Sequence, residues 1–291
     1  MKRKSPLLTV SFLGALFLLP YCDDDPPDEV GFRYPLAIGN TWDYTRRWDL
    51  FHYTDSTAST YDDTTTMLFD IQVAVIDMAS LGGLSGLYRI ISTESSVWDT
   101  IQGAHYYGQD EEGLYLYGYE GYGGLSMPKV RPASVSRSGI LFNGRYFSNV
   151  NQLFQIIQDA LPGHFPLVGD TTEPYIEDPP LVVLQYPLDQ DTTWTYRYAY
   201  DPWRIDKVVI GEEEITVPAG AFECMKVKWL YDIDNDGEWD SDLFIEDYIG
   251  DVGLVKREIT ILGIISINEL GEIVGYMDSM GRYTLEAVSL E

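Results

Sequence analysis

The chain has 291 residues and a formal net charge of −27, with 46 Asp and Glu against 19 Lys and Arg. So acidic a surface repels phosphate backbones, which excludes nucleic acid as a partner and disfavours docking on anionic head groups through basic patches; divalent cations or a saline medium suit it better. The length allows a buried core without disulfide staples, and 22 Tyr, 11 Phe, 7 Trp, 26 Gly and 15 Pro point to a mainly β protein of many short strands and tight turns.

Lys2, Arg3 and Lys4 precede an apolar run from Leu7 to Leu19. That run is short for a bilayer span and matches the core of a secretory signal, so residues 1–21 read as a signal peptide. Cys22 follows directly and leads into Asp23, Asp24 and Asp25. The arrangement resembles the processing site of bacterial lipoproteins, with Leu19 in its expected place and Tyr21 where a small residue is usual. The resemblance implies lipidation at Cys22 and anchorage in a bacterial cell envelope, on the periplasmic side or at the cell surface. Residues 22–31, with Pro26 and Pro27 among acids, then form a solvated tether. If Cys22 carries a lipid, Cys224 is the one thiol left; the alternative is plain secretion with a Cys22–Cys224 bridge.

The next stretch sets the organisation. Tyr34-Pro35-Leu36 with Thr41-Trp42-Asp43-Tyr44 returns as Tyr186-Pro187-Leu188 with Thr193-Trp194-Thr195-Tyr196, in the same register. Two related β units are expected, 32–165 and 181–291, joined by a Pro-rich acidic linker at 166–180. In the first unit Tyr44, Trp48, Phe51 and Tyr53 continue a half-buried strand, and Ser56 to Thr66 reads as a loop. Met67–Met78 and Leu87–Trp98 read as strands about the glycine-rich turn at 82–86, and His105–Gln109 with Leu114–Tyr119 as a hairpin. Tyr115, Tyr117, Tyr119 and Tyr122 form either a packed ladder or a stacking surface for sugars. One short helix is expected near 149–161, capped by Ser148 or Asn149, with Leu153, Phe154, Ile156, Ile157 and Leu161 as its apolar stripe and Pro162-Gly163 as its stop.

In the second unit Glu214 to Val217, a Pro218-Ala219-Gly220 turn and Ala221 to Trp229 describe a hairpin, with Glu223, Met225, Val227 and Trp229 as its core face. Asp251-Val252-Gly253-Leu254-Val255-Lys256 opens a later strand. These phrases resemble a broad group of bacterial envelope lipoproteins that share a VPAGTFEC-type hairpin and a GVGLVK-type strand, Ala221 replacing the usual Thr. The resemblance implies antiparallel sheets of curled half-barrel or sandwich type, similar to periplasmic lipoprotein carriers. It implies no catalytic residue. Cys224, with no histidine near it in sequence, reads as an inert half-buried thiol.

The stretch with chemistry in it is Asp232, Asp234, Asp236, Glu238, Asp240 and Asp242, alternating carboxylates with Gly237 at the turn. D-x-D-x-D-G is the start of a Ca²⁺ loop, since the hard cation takes six to eight oxygens and the glycine permits the sharp turn. Position twelve is Leu243 and not the Glu of an EF-hand, so this would be a calcium loop at a hairpin tip. The alternative is an acidic hairpin turned by Asn235-Asp236-Gly237 and simply solvated.

The functional reading is a membrane-tethered, non-enzymatic binding or carrier protein, possible partners being a small hydrophobic molecule, a glycan or a protein. The alternatives are a secreted carbohydrate hydrolase using paired carboxylates and a structural surface protein meeting another chain at a strand edge.

Overall fold

The computed structural model describes residues 31–56, 60–97, 100–121, 139–150, 152–153, 157, 174–198, 204–234 and 236–291. The signal segment, Cys22 and residues 22–30 of the tether lie outside them, as do Tyr122 and His164. Among the described residues, strands follow one another as β1 (Thr41–Tyr53), β2 (Asp63–Leu81), β3 (Leu84–Ser95), β4 (Thr100–Gln109), β5 (Gly113–Gly121), β6 (Gly139–Phe142) and β7 (Arg145–Phe147). Then come β8 (Tyr175–Gln185), β9 (Thr193–Tyr198), β10 (Arg204–Val217), β11 (Gly220–Asp232), β12 (Leu243–Gly250), β13 (Gly253–Ile267) and β14 (Ile273–Ser289).

All belong to one antiparallel sheet in the order β8-β5-β4-β3-β2-β1-β14-β13-β12-β11-β10-β9, with β6 added beside β13 and β7 beside β6. Consecutive strands pair as hairpins except at β5–β6, β7–β8 and β8–β9, and two long-range pairings, β1 with β14 and β5 with β8, make the sheet path continuous. It curls into a nearly closed barrel. The expectation of two units therefore meets a different arrangement. β1 from the first half is laddered to β14 from the second, Phe32–Glu291 is one compact body, and the described end of the expected linker enters β8. Sequence periodicity reports which face a strand buries and says nothing about which distant strand it joins.

The core follows the period-two rule. On β1 the buried side chains are Trp42, Tyr44, Arg46, Trp48 and Leu50, and on β13 Val255, Arg257, Ile259 and Ile261, with Ile264 and Ile267 buried beyond ladder slips after Ile261 and Ser266. Each fully buried large apolar side chain stabilises the fold by about 1.5–3 kcal/mol. Gly281 pairs directly with Trp48, and a Cβ at that position would overlap the indole ring. The glycine is therefore what lets the tryptophan lie flat on the sheet.

Three local expectations are revised. Asp63 to Thr66, expected in a loop, are the first residues of β2, where the threonines pair with Asp49, Leu50 and Phe51; β-branched Thr suits a strand as well as a turn. On β11 the buried residues are Cys224, Val227, Trp229, Tyr231 and Asp232, while Glu223 is exposed and Met225 half-buried. The ladder to β10 slips between Val209 and Gly211, and such a bulge turns the strand pair by one residue. Of the expected helix, Val150, Gln152, Leu153 and Ile157 are helical; the rest of 149–161 apart from Asn149 lies outside the described residues. Asn149 caps it, its side-chain oxygen accepting from the Gln152 amide at 3.0 Å, and Leu153 and Ile157 are buried in the main core.

Candidate functional site

The two Tyr-Pro-Leu phrases fold into the same turn. In the first, the Gly39 amide donates to the Val75 carbonyl (2.9 Å), the Val75 amide to Asn40 (2.9 Å) and the Asn40 amide to Ala37 (3.1 Å). In the second, Asp191 donates to Val209 (2.8 Å), Val209 to Thr192 (2.9 Å) and Thr192 to Asp189 (3.1 Å). Gly39 and Asp191 both have positive φ, 102° and 66°. Glycine adopts such a backbone freely, and Asp tolerates the left-handed region better than most residues. The match continues outward along the ladders. Trp42 faces Val73 and Trp194 faces Lys207; Val73 then faces Ser92, and Lys207 faces Trp229. One row along, Ile90 faces His105 and Val227 faces Asp247, which in turn face Tyr119 and Arg257. Both ladders slip just after the shared valine, Val75 or Val209.

The two indoles are both buried and both donate to main chain, to different ends. Trp42 Nε1 reaches the Val252 carbonyl at 2.6 Å, and the Tyr44 hydroxyl donates to the Leu254 carbonyl at 2.9 Å. The first phrase thereby holds the turn between β12 and β13. Trp194 Nε1 reaches the Val182 carbonyl at 3.0 Å, which joins β9 to β8. These strands end the sheet path and have no backbone ladder between them. The seam is closed by side chains: Trp194 on Val182, Lys207 Nζ on the Val183 carbonyl (2.8 Å), and Arg197 on Glu177 (2.7 Å).

Inside the barrel lies a chamber of about 160 Å³, bordered by both halves and by the seam. Its walls include Tyr34, Tyr44, Tyr107 and Tyr283 with Ile71, Ile90, Leu114 and Leu184, and five polar side chains, Ser92, His105, Lys207, Asp247 and Arg257. Asp247 and Arg257 form a closed pair. Arg257 Nε donates to Oδ1 at 2.5 Å and an η nitrogen to Oδ2 at 2.7 Å, while Trp229 Nε1 adds a third bond at 2.9 Å. A buried carboxylate so satisfied keeps its charge at tolerable cost. Farther along, Arg46 is paired with Glu94 at 2.6 Å and donates to the Tyr283 hydroxyl at 3.1 Å.

Lys207 differs from both arginines. It is 1 % exposed, and its ammonium meets the Val183 carbonyl and the faces of Trp229 (3.7 Å) and Tyr196 (4.4 Å). Among the described residues no carboxylate lies within ion-pair distance of it. Burial, and secondarily the nearby Arg257, holds its pKa well below that of an ordinary lysine, with Asp247 opposing. Burial likewise lifts the phenols of Tyr44 and Tyr107 above the usual range, so they remain neutral donors.

The alternating acids after β11 divide. Asp232, Asp234 and Asp236 bring carboxylate oxygens within 4.8 Å of one another. Asp232 is 2 % exposed and accepts from the Asp236 amide (3.1 Å) and the Gly237 amide (3.1 Å), and Gly237 has φ of 90°. Glu238 is exposed and Asp242 half-buried, both outside this group. Asp240 turns away, accepting from the Ile233 amide at 2.8 Å and from the Asn143 side chain, and burial raises its pKa. Three of the six expected ligands therefore converge. Cys224 is buried, and desolvation raises its thiol pKa to about 11, which leaves it protonated and unreactive at neutral pH.

The interior charges were missed at the level of sequence, where Arg46, Lys207, Asp247 and Arg257 pass for the polar alternates of half-exposed strands. A signal was present. Trp42-x-Tyr44-x-Arg46-x-Trp48, Ile205-x-Lys207-x-Val209 and Val255-x-Arg257-x-Ile259 each put the charge in phase with the apolar face, which is where a charge is buried.

A family model described as DUF3108-like matches residues 203–260, from the start of β10 into β13. No curated protein matches the chain. Among solved structures the chain is similar to a candidate lipoprotein from Parabacteroides distasonis, at 15% identity and TM-score 0.32, covering 89% of this chain and 99% of that one. It is also similar to a candidate exported protein with YmcC-like fold from Bacteroides fragilis, at 12% identity and TM-score 0.30, again over 89% and 99% of the two chains.

Proposed function

We propose that this chain is an exported, lipid-tethered envelope protein without catalytic activity, whose barrel holds a small molecule in its interior. The observation that carries the reading is the chamber itself, walled by apolar side chains and tyrosines with a few polar groups aimed inward, the usual composition of a ligand site. The basic start, apolar run and Cys22 support export and anchorage. Extraction of the purified full chain followed by mass spectrometry tests the binding role: a single small molecule at near-stoichiometric yield is expected, and a chain that stays empty after purification and after incubation with an envelope extract rejects it. Incorporation of labelled fatty acid by the wild type and its loss in Cys22→Ala is the expected result for the tether.

The acidic loop supports a subsidiary proposal, that Ca²⁺ stiffens the exit from β11. Asp232, Asp234 and Asp236 would supply carboxylates, with Glu238, Asp240 and Asp242 reached only by rearrangement of the loop. Affinity is expected to be weak, with Kd on the order of 10⁻⁴–10⁻³ M as in extracellular modules. Ca²⁺ should raise the melting temperature of the wild type and leave that of Asp234→Ala/Asp236→Ala unchanged; equal responses of the two proteins reject the site.

A further inference from the structure

We infer that the chamber takes a small organic anion, its acidic head on Lys207 and its apolar body against Ile71, Ile90 and Leu184. The inference rests on the interior-binding reading and names the ligand's chemistry.

Size sets the first limit. A dry cavity of roughly 150 Å³ accommodates benzene, and this chamber measures about 160 Å³. Drug-sized molecules occupy pockets of about 300–1,000 Å³. A ring or short chain bearing one head group fits here.

Charge sets the second. The buried cations Arg46 and Arg257 each have a carboxylate of their own, Glu94 at 2.6 Å and Asp247 at 2.5 Å. Lys207 is the odd one, with a carbonyl and two aromatic faces for company. Ser92 Oγ also borders the chamber, is buried, and has no hydrogen-bonding partner among the described residues. A buried charge without a counterion, and a buried hydroxyl without a partner, both cost stability. The barrel itself does not require the lysine, because the matching position on the first ladder is Val73, which also lines the chamber. Staple duty at the seam does not require a charge either, since a neutral amide donor would serve the Val183 carbonyl equally.

A carboxylate supplies what Lys207 lacks, an acceptor for the ammonium N–H positions not used by the Val183 carbonyl. The complex is reached from either protonation state. A carboxylate pairs with the ammonium directly, and a carboxylic acid entering beside the neutral amine passes its proton to Nζ, giving the same ion pair with nothing else consumed.

The test titrates the purified full chain in detergent, by calorimetry, with benzoate, benzyl alcohol and benzylamine, three probes of one shape and different charge. Benzoate is expected to bind about tenfold or more tightly than benzyl alcohol, the value of a charge-assisted hydrogen bond, and benzylamine not at all. Lys207→Met should make benzoate no better than benzyl alcohol. Lys207→Gln, which keeps a donor for Val183, serves if the methionine variant fails to fold. If benzyl alcohol binds as well as benzoate, or the preference survives in both Lys207 variants, the anion inference falls while interior binding stands. If laurate outcompetes benzoate, the size argument falls. If no probe binds and the purified chain holds no ligand, both readings fall together.

Discussion

The two halves of the barrel start from the same turn and ladder, and they differ in what they place inside. Where the first half has Val73, Ser92, His105 and Tyr119, the second has Lys207, Trp229, Asp247 and Arg257 at matching ladder positions. The first set contains no Lys, Arg or carboxylate, and the second contains Lys207, Asp247 and Arg257. The turn, the buried indole and the bulge after the shared valine are therefore sufficient to build either wall, and the ionic groups of the second wall answer to something other than architecture. A fold tolerates such groups when they are paired, and retains an unpaired one at a cost.

Breaking the pair on the charged wall should have the largest effect. Asp247→Ala leaves the Arg257 guanidinium buried with no counterion and should lower unfolding free energy by about 3–5 kcal/mol. His105→Ala, its counterpart on the other wall, should cost about 0.5–3 kcal/mol. Urea titration of both variants measures the contrast, and equal losses would mean that the ion pair carries no special weight.

The indoles provide a finer contrast. Trp42→Phe and Trp194→Phe each leave a carbonyl, Val252 or Val182, without its donor, for a loss of about 1–3 kcal/mol. Their local consequences should separate. Trp194→Phe should speed amide exchange along β8 and β9, because it unfastens a seam that lacks a ladder, whereas Trp42→Phe should leave those strands protected.

The smallest effect is one of slope. Burial lowers the Lys207 pKa, so between its folded value and the ordinary lysine value of about 10.4 the unfolded chain binds a proton that the folded chain lacks. Stability from this group therefore rises with pH across that window. Lys207→Met abolishes the contribution, and the difference between wild type and variant should move in the wild type's favour by up to about 1.4 kcal/mol per pH unit. A difference that is flat up to pH 10 would show that Lys207 titrates normally.

Much of the architecture was legible in the residues. Alternation of Tyr, Trp and β-branched side chains specifies strands, and the glycine turn at Gly82-Gly83 and the Pro218-Ala219-Gly220 turn sit between paired strands in the structure. What the text withholds is partnership at a distance. Nothing in β1 names β14, and nothing in β5 names β8, so two units were the natural reading of a repeated phrase. The chamber was illegible for the same reason: Ser92, Lys207 and Asp247 lie far apart in the chain and border one cavity only after the sheet has curled. In the acidic loop spacing says more than contact does, and the structure draws Asp232, Asp234 and Asp236 together. Regular spacing drew six carboxylates into one group, while backbone amides and Asn143 divide them.

The unladdered margin has a consequence for life in a crowded compartment. A sheet that stops short of closure leaves a border on which a second molecule can zip, the route to fibrils. Here that border holds Pro179 and Pro180, which offer no main-chain donor, and its inward carbonyls at Val182 and Val183 are already occupied by Trp194 and Lys207. The protein thus keeps a place that can part without offering neighbours a template for polymerisation.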